Sequence, residues 1–198
     1  MSGKKSEEPR CPYARGTPED PANLPLPVAS LVTIFLFLHG LVLYVQLKTA
    51  GKLTDGTEQV FHGVWLFYVA LPVGLLIPYA KIPAGVSLAH GVTLMAGVAL
   101  IAFGLAWETL GFVSSEPSSV AAKWANLWGF WGNLLGCLWA GFSGAQDLLF
   151  KTKLANPHAP RHDRHEAVLH VLLKSQGLAS CVGAGMMLHR FAATLLAA

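Results

Sequence analysis

The chain has few cysteines and few charged residues, and it lacks the motifs of several large protein classes. Three cysteines without a paired spacing exclude a disulfide framework and a cysteine-based zinc site. No basic stripe is present, so no nucleic-acid partner is expected. A Gly-rich phosphate loop, a nucleophile elbow and paired catalytic carboxylates are also missing. No catalytic residue is therefore predicted from a motif, and the sequence leaves open whether the chain is an enzyme.

The sequence contains long runs of apolar residues with few charged residues among them. Hydrophobic residues make up 53% of the 198 residues and charged residues 13%. A helix needs about 20 apolar residues to cross a hydrocarbon layer of ~30 Å, and five runs reach that length. The pattern predicts an all-α membrane protein, a bundle of about five transmembrane helices over residues 27–198, with lipid bound around it. The predicted spans are 27–48, 60–80, 84–106, 120–150 and 167–191.

Residues 1–26 have a different composition. They are rich in proline and carry both charge signs with little apolar content, which predicts a disordered or extended tail. No apolar core closely follows the basic start, so a cleavable signal peptide is not expected. Prolines favour extended segments that lie along a partner. The tail is therefore predicted to dock on other membrane subunits.

Basic residues are distributed unequally between the two faces of the predicted bundle. With five spans, nine lysines and arginines fall on the face of the N-terminus. Four fall on the opposite, outside face: Lys48, Lys52, Lys123 and Arg190. Lys and Arg mark the face that is not translocated. We therefore expect the N-terminus inside and the C-terminus outside, with an organellar inner membrane as one possible location.

Two histidines are predicted to lie at the same depth in the bundle. His90 in the third span and His170 in the fifth both follow the inside face, roughly 7–9 Å below it at a rise of 1.5 Å per residue. Ionisable residues inside a span generally face the bundle interior. Two imidazoles from different helices can ligate one haem. The sequence thus predicts a haem b whose iron is held by His90 and His170, with His165 as the reserve ligand.

Other residues are candidates for the same cofactor. Gly97 and Gly104 are seven residues apart on the predicted third helix, so they clear one face for a macrocycle or for another helix. Lys174 lies well inside the fifth span and either holds a haem propionate or contacts a carbonyl, a headgroup or another subunit. His62 and His189, both near the outside face, form a secondary pair of candidates.

Several of these residues occur in motifs that resemble the cytochrome b-561 type transmembrane haem proteins. His62-Gly63 followed by Pro72-Val73-Gly74 resembles the first core helix of that family, and His90 with glycines seven and fourteen residues later resembles the second. The resemblance covers residues 62–188. A ligand position of the third core helix falls on Gly132, so the resemblance implies one retained haem and one lost site.

Two functions follow as expectations. The resemblance implies an electron-transfer protein with a b-type haem between its helices, linked to a quinol or to ascorbate. The alternative is a non-catalytic accessory subunit of a respiratory, ATP synthase or photosynthetic complex. That alternative depends on the Trp- and Gly-rich fourth span, whose surface would pack on neighbouring subunits, lipid or pigment.

Overall fold

The computed structural model describes residues 24–145 and 163–196, and the regular structure in those ranges is entirely helical. Five α-helices are present, which confirms the predicted fold class. A short 3₁₀ helix, Gly74–Tyr79, continues the second of them. Residues 1–23, 146–162 and 197–198 lie outside the described residues. The helices are α1 Leu26–Thr49, α2 Asp55–Val73, α3 Pro83–Ala106, α4 Pro117–Ser143 and α5 Asp163–Leu196.

Four of these elements are long and apolar enough to cross a membrane. They are α1, α2 with its 3₁₀ extension, α3 and α5. Helix α4 is 27 residues long, but its buried face includes Lys123 and Asn126, which lower its hydropathy. Because α4 lies between α3 and α5 in the bundle, its polar side chains are enclosed by apolar helices. The chain is a membrane protein, and its orientation and compartment stay predictions.

Local sequence sets the ends of the helices. Thr54 caps the start of α2, and its hydroxyl oxygen accepts a hydrogen bond from the Thr57 amide at 3.3 Å. Prolines occupy the first turns of α3 and α4, where the missing amide hydrogen costs nothing. Gly144, with φ of 84°, adopts the left-handed conformation that ends α4. This glycine explains why α4 ends at Ser143, well before the predicted boundary at residue 150.

The helices pack in the order of the chain. Helix α2 lies along α3, α3 along α4, and α4 along α5, whereas α1 contacts mainly α2 and its 3₁₀ extension. Only Ala29 and Gly40 are fully buried on α1. Helix α1 is therefore a peripheral element with most of its surface facing lipid.

Glycines bring α2 and α3 into backbone contact. A Cβ placed on Gly97 would lie 2.7 Å from the carbonyl oxygen of Gly63, and one on Gly104 would lie 2.5 Å from that of Gly56. Small residues at such spacing let two membrane helices approach closely. The space that Gly97 and Gly104 clear on α3 is thus filled by α2. The sequence predicted that these glycines clear space either for a macrocycle or for another helix, and the structure shows the contact with another helix.

Replacing Gly97 by alanine is expected to destabilise the bundle by about 1–3 kcal/mol, because the new methyl group overpacks the α2 backbone. Gly91 lies on the same helix with open space around it, so Gly91→Ala is the matched control. Thermal unfolding in detergent measures both. Equal unfolding temperatures for the two variants would contradict this view of the α2–α3 contact.

Candidate functional site

One face of α2 carries a row of polar and aromatic side chains. Asp55, Glu58, Gln59, His62 and Trp65 recur at intervals of three and four residues along the first half of the helix, which places them on one side. The hydrogen bonds of these residues lead to α1 and α4. Polar groups inside an apolar bundle need hydrogen-bond or ionic partners. The row on α2 finds these partners on α1 and α4.

The row begins with an ionic cluster, by which we mean Lys48, Asp55, Glu58, Lys123 and the hydroxyl of Tyr44. Glu58 is fully buried; Lys48 Nζ lies 2.8 Å from each of its carboxylate oxygens, and Tyr44 donates to it at 2.6 Å. Lys123 bridges Glu58 at 3.0 Å and Asp55 at 2.6 Å. Two ammonium groups and two carboxylates balance in charge, so the cluster joins α1, α2 and α4 without a net charge.

An amide pair follows the ionic cluster along the bundle. Asn126 of α4 donates to the side-chain oxygen of Gln59 at 3.0 Å, and both residues are buried. The Gln59 amide reaches the backbone oxygen of Asp55 at 3.4 Å. Gly183 of α5 lies directly against the Asn126 side chain. The amide pair therefore connects the row on α2 to the α4–α5 interface.

His62 is the next polar residue of the row, and its tautomer follows from one hydrogen bond. The indole N–H of Trp131 on α4 donates to His62 Nδ1 at 3.1 Å. An accepting Nδ1 has no proton, so the neutral ring carries its hydrogen on Nε2. That Nε2–H has no hydrogen-bond partner among residues 24–145 and 163–196. The ring is half-buried, which leaves a donor available inside the bundle.

Aromatic rings surround His62 and form the aromatic cluster. Its ring lies 4.9 Å from Tyr44 and 5.6 Å from Trp65, measured between centroids, and the Trp65 ring lies 4.9 Å from Trp131. The Trp65 indole is buried against Gly40, and its N–H lacks an acceptor in the described part of the chain. Two N–H donors therefore sit in one aromatic environment. The cluster consists of Phe37, Tyr44, Phe61, His62, Trp65 and Trp131.

The predicted haem ligands occupy other parts of the bundle. His90 faces α2, where its Nδ1 lies 2.8 Å from the Ala70 carbonyl oxygen. His170 and His165 are on α5, which packs along α4, and Trp139 donates to the His165 carbonyl at 3.1 Å. Within the described ranges, no group of three or more His, Cys, Asp or Glu side chains could hold a metal ion. The pairing of His90 with His170 stays a prediction.

The remaining candidates lie on the outer part of α5. Lys174 is exposed on that helix. His189 borders a separate cleft of about 520 Å³, together with Cys181, Met186 and Arg190. This cleft is lined by α5, the start of α4 and Phe112, and His62 is not among its lining residues, so the structure does not join the secondary candidates into one site.

Sequence reasoning named His62 only as a secondary candidate and missed most of its surroundings. Tyr44, Glu58, Trp65 and Lys123 were not singled out as site residues. One signal was available: Asp55 and Glu58 are acidic residues in the first turn of an apolar helix. Buried carboxylates require cations, and Lys48 and Lys123 are two of the four basic residues on the predicted outside face.

The fold and the aromatic cluster define a small helical membrane protein with a polar site inside its bundle. A family model described as SOI, styrene oxide isomerase, matches residues 57–192. The chain belongs to the styrene oxide isomerase family. Neither a curated protein nor a solved structure matches it.

This membership corrects the resemblance to cytochrome b-561, which was wrong. The motifs behind that resemblance have other roles in the structure. Gly97 and Gly104 contact α2, and Gly132, at the supposed ligand position, packs on Gln176 of α5. Short glycine and Pro-x-Gly patterns serve close packing and helix ends in any bundle, so they do not identify a haem protein.

Proposed function

We propose that the chain is an integral membrane isomerase that converts a small aryl epoxide into its carbonyl isomer at the aromatic cluster. The observation that carries the proposal is the family match, which covers nearly all of α2 and the whole of α3 and α4. His62, Trp65 and Trp131 all fall within the matched residues. Helix α1 lies outside them.

The proposed reaction needs no second substrate. The benzylic C–O bond of the epoxide breaks, a hydride moves from the terminal carbon to the benzylic carbon, and the oxygen becomes the carbonyl of an aldehyde. No atom is gained or lost, and no net electron or proton transfer occurs. An electrophile at the oxygen lowers the barrier, since negative charge develops there.

The aromatic cluster offers the groups that this reaction requires. The Nε2–H of His62 can donate to the epoxide oxygen, and the surrounding ring faces favour positive charge at the benzylic carbon. Water would capture that cation and yield a diol. A site enclosed by apolar helices excludes water and directs the cation to the hydride shift.

The purified chain in detergent is expected to convert styrene oxide into phenylacetaldehyde without forming the diol. Gas chromatography of the extracted products measures both compounds. Detergent extracts of host membranes that lack the chain serve as the control for background rearrangement. Absence of the aldehyde from a correctly folded preparation would refute the proposed function.

The haem predicted from the sequence is a second candidate for the electrophile that acts on the epoxide oxygen. A bound ferric haem would supply a Lewis acid for the epoxide oxygen. His90 fits a ligand, because Nδ1–H donation to the Ala70 carbonyl leaves Nε2 for iron, the usual arrangement of a ligating imidazole. His62 does not fit in its present tautomer, because its Nδ1 accepts from Trp131.

The absorption spectrum of the same preparation tests the haem. A b-type band that is lost in His90→Ala and kept in His39→Ala supports the cofactor at His90. A band lost in His62→Ala instead assigns the iron to the aromatic cluster. A colourless, active protein would leave the chain's own N–H donors as the electrophile. Electron transfer and an accessory role remain sequence-based predictions without support from the family.

A further inference from the structure

A groove of about 230 Å³ runs between α1, α2 and α4 beside the aromatic cluster. Its single polar lining residue, Thr33, already uses its hydroxyl to donate to the Ala29 carbonyl at 2.9 Å. A water molecule needs two to four polar partners to stay in a cavity, and this lining offers none. The lining of the groove includes Thr33, Phe37 and Leu38 of α1, Val69 of α2, and Trp131 and Leu135 of α4.

The groove is continuous with the aromatic cluster because two rings belong to both. Phe37 lies 5.3 Å from Trp65 and 6.1 Å from Trp131, and Trp131 donates to His62 at 3.1 Å. A molecule in the groove therefore contacts Trp131, whose indole N–H binds His62 at Nδ1, although His62 itself does not line the groove. This continuity distinguishes the groove from the cleft beside His189, which lies on α5.

The open side of the groove faces the hydrocarbon layer. Leu38 on α1 and Leu135 on α4 form its rim, with 50% and 46% of their surfaces exposed. Helix α1 is held mainly by α2, so the α1–α4 side is the loosely packed one. An apolar solute dissolved in the bilayer can reach this side without passing through water.

We propose that this groove binds the aryl ring of the substrate and admits the substrate sideways from the lipid. This inference rests on the proposed function. An apolar protein cavity of about 150 Å³ stays dry and binds benzene, so the groove has room for a phenyl ring with a two-carbon substituent. From the groove, the substrate would move past the Phe37 and Trp131 rings to reach His62. Since α1 lies outside the family match, the α1 wall of the groove would set which aryl substituents this chain accepts.

The first test fills the groove from α1. Leu38→Trp is expected to raise the KM for styrene oxide by about tenfold or more, since small volume changes in an apolar pocket discriminate by 10–200-fold. Leu43→Trp is the matched control, because Leu43 is an exposed leucine roughly opposite Leu38 on α1 at 100° per residue. Equal KM values for the two variants would overturn the groove assignment while leaving the isomerase activity intact.

The second test does not depend on turnover. A phenyl diazirine photolabels the wild-type protein in membranes, with and without ethylbenzene as an unreactive competitor. Labelling of groove residues such as Leu38 and Leu135 is expected to fall with the competitor, while labelling of Leu43 stays constant. Competition at the groove in an inactive protein would keep the binding site and reject the isomerase. Uniform labelling without competition at the groove would overturn the binding site itself.

Discussion

Lys123→Met is expected to destabilise the bundle by about 3–5 kcal/mol, the usual cost of removing one partner of a buried ion pair. Lys123 is buried, and its ammonium group is shared by Asp55 at 2.6 Å and Glu58 at 3.0 Å. Without it, two carboxylates remain close together with only Lys48 to balance them. Thermal unfolding in detergent, followed by circular dichroism, measures the loss.

A matched control and a double variant make this prediction specific. Lys52→Met removes an exposed lysine between α1 and α2 and is expected to leave the unfolding temperature unchanged. Adding Asp55→Asn to Lys123→Met removes the second charge and leaves the Lys48–Glu58 pair intact. Part of the lost stability should return, and the double-mutant cycle gives the coupling energy. Purely additive effects would show that the Lys123–Asp55 contact does not stabilise the fold.

Sequence alone predicted the fold because the bilayer fixes the length of an apolar run. The five runs correspond to α1 through α5, and their ends differ where local chemistry intervenes. Gly144 stops α4 through its left-handed conformation, and Pro72 and Pro78 accompany the change from α2 to a 3₁₀ helix. Hydropathy averages over such single residues, so it places helices better than it places their ends.

The candidate site could be predicted only in part, because it depends on how each helix is rotated about its axis. Lys48 and Lys123 entered the sequence analysis as charges of the outer face, whereas the structure pairs both with Glu58. Hydropathy does not distinguish a lysine in a headgroup region from one inside an ionic cluster. Gly97 was ambiguous for a similar reason, since a cleared helix face suits a cofactor and a neighbouring helix equally.

The tryptophans of α4 show the same limit. Their helical spacing predicted a packing surface for other subunits. In the structure, Trp131 joins the aromatic cluster, and the indoles of Trp128 and Trp139 donate to Ser175 and to the His165 carbonyl of α5. The surface is thus used partly within the chain. Docking of other subunits on α4 stays a prediction, as does docking of the tail, which lies outside the described residues.

His62→Phe is expected to lower kcat for styrene oxide by about 100-fold or more, the usual effect of removing one donor to a developing oxyanion. Phenylalanine keeps an aromatic ring among Tyr44, Trp65 and Trp131 while removing the Nε2–H. Because the lost interaction is made mainly in the transition state, kcat should fall with little change in KM. Initial rates over a range of substrate concentrations separate the two constants.

Two further variants decide whether His62 acts at the substrate or only supports the fold. His39→Phe changes an exposed histidine on α1 outside the aromatic cluster and is expected to retain wild-type kcat. Trp131→Phe removes the hydrogen bond to Nδ1 and so frees the imidazole to adopt either tautomer. We therefore expect Trp131→Phe to lower kcat less than His62→Phe and to alter its pH profile, a change that a merely structural role would not produce. Full turnover by His62→Phe at an unchanged unfolding temperature would show that the His62 Nε2–H does not act on the epoxide.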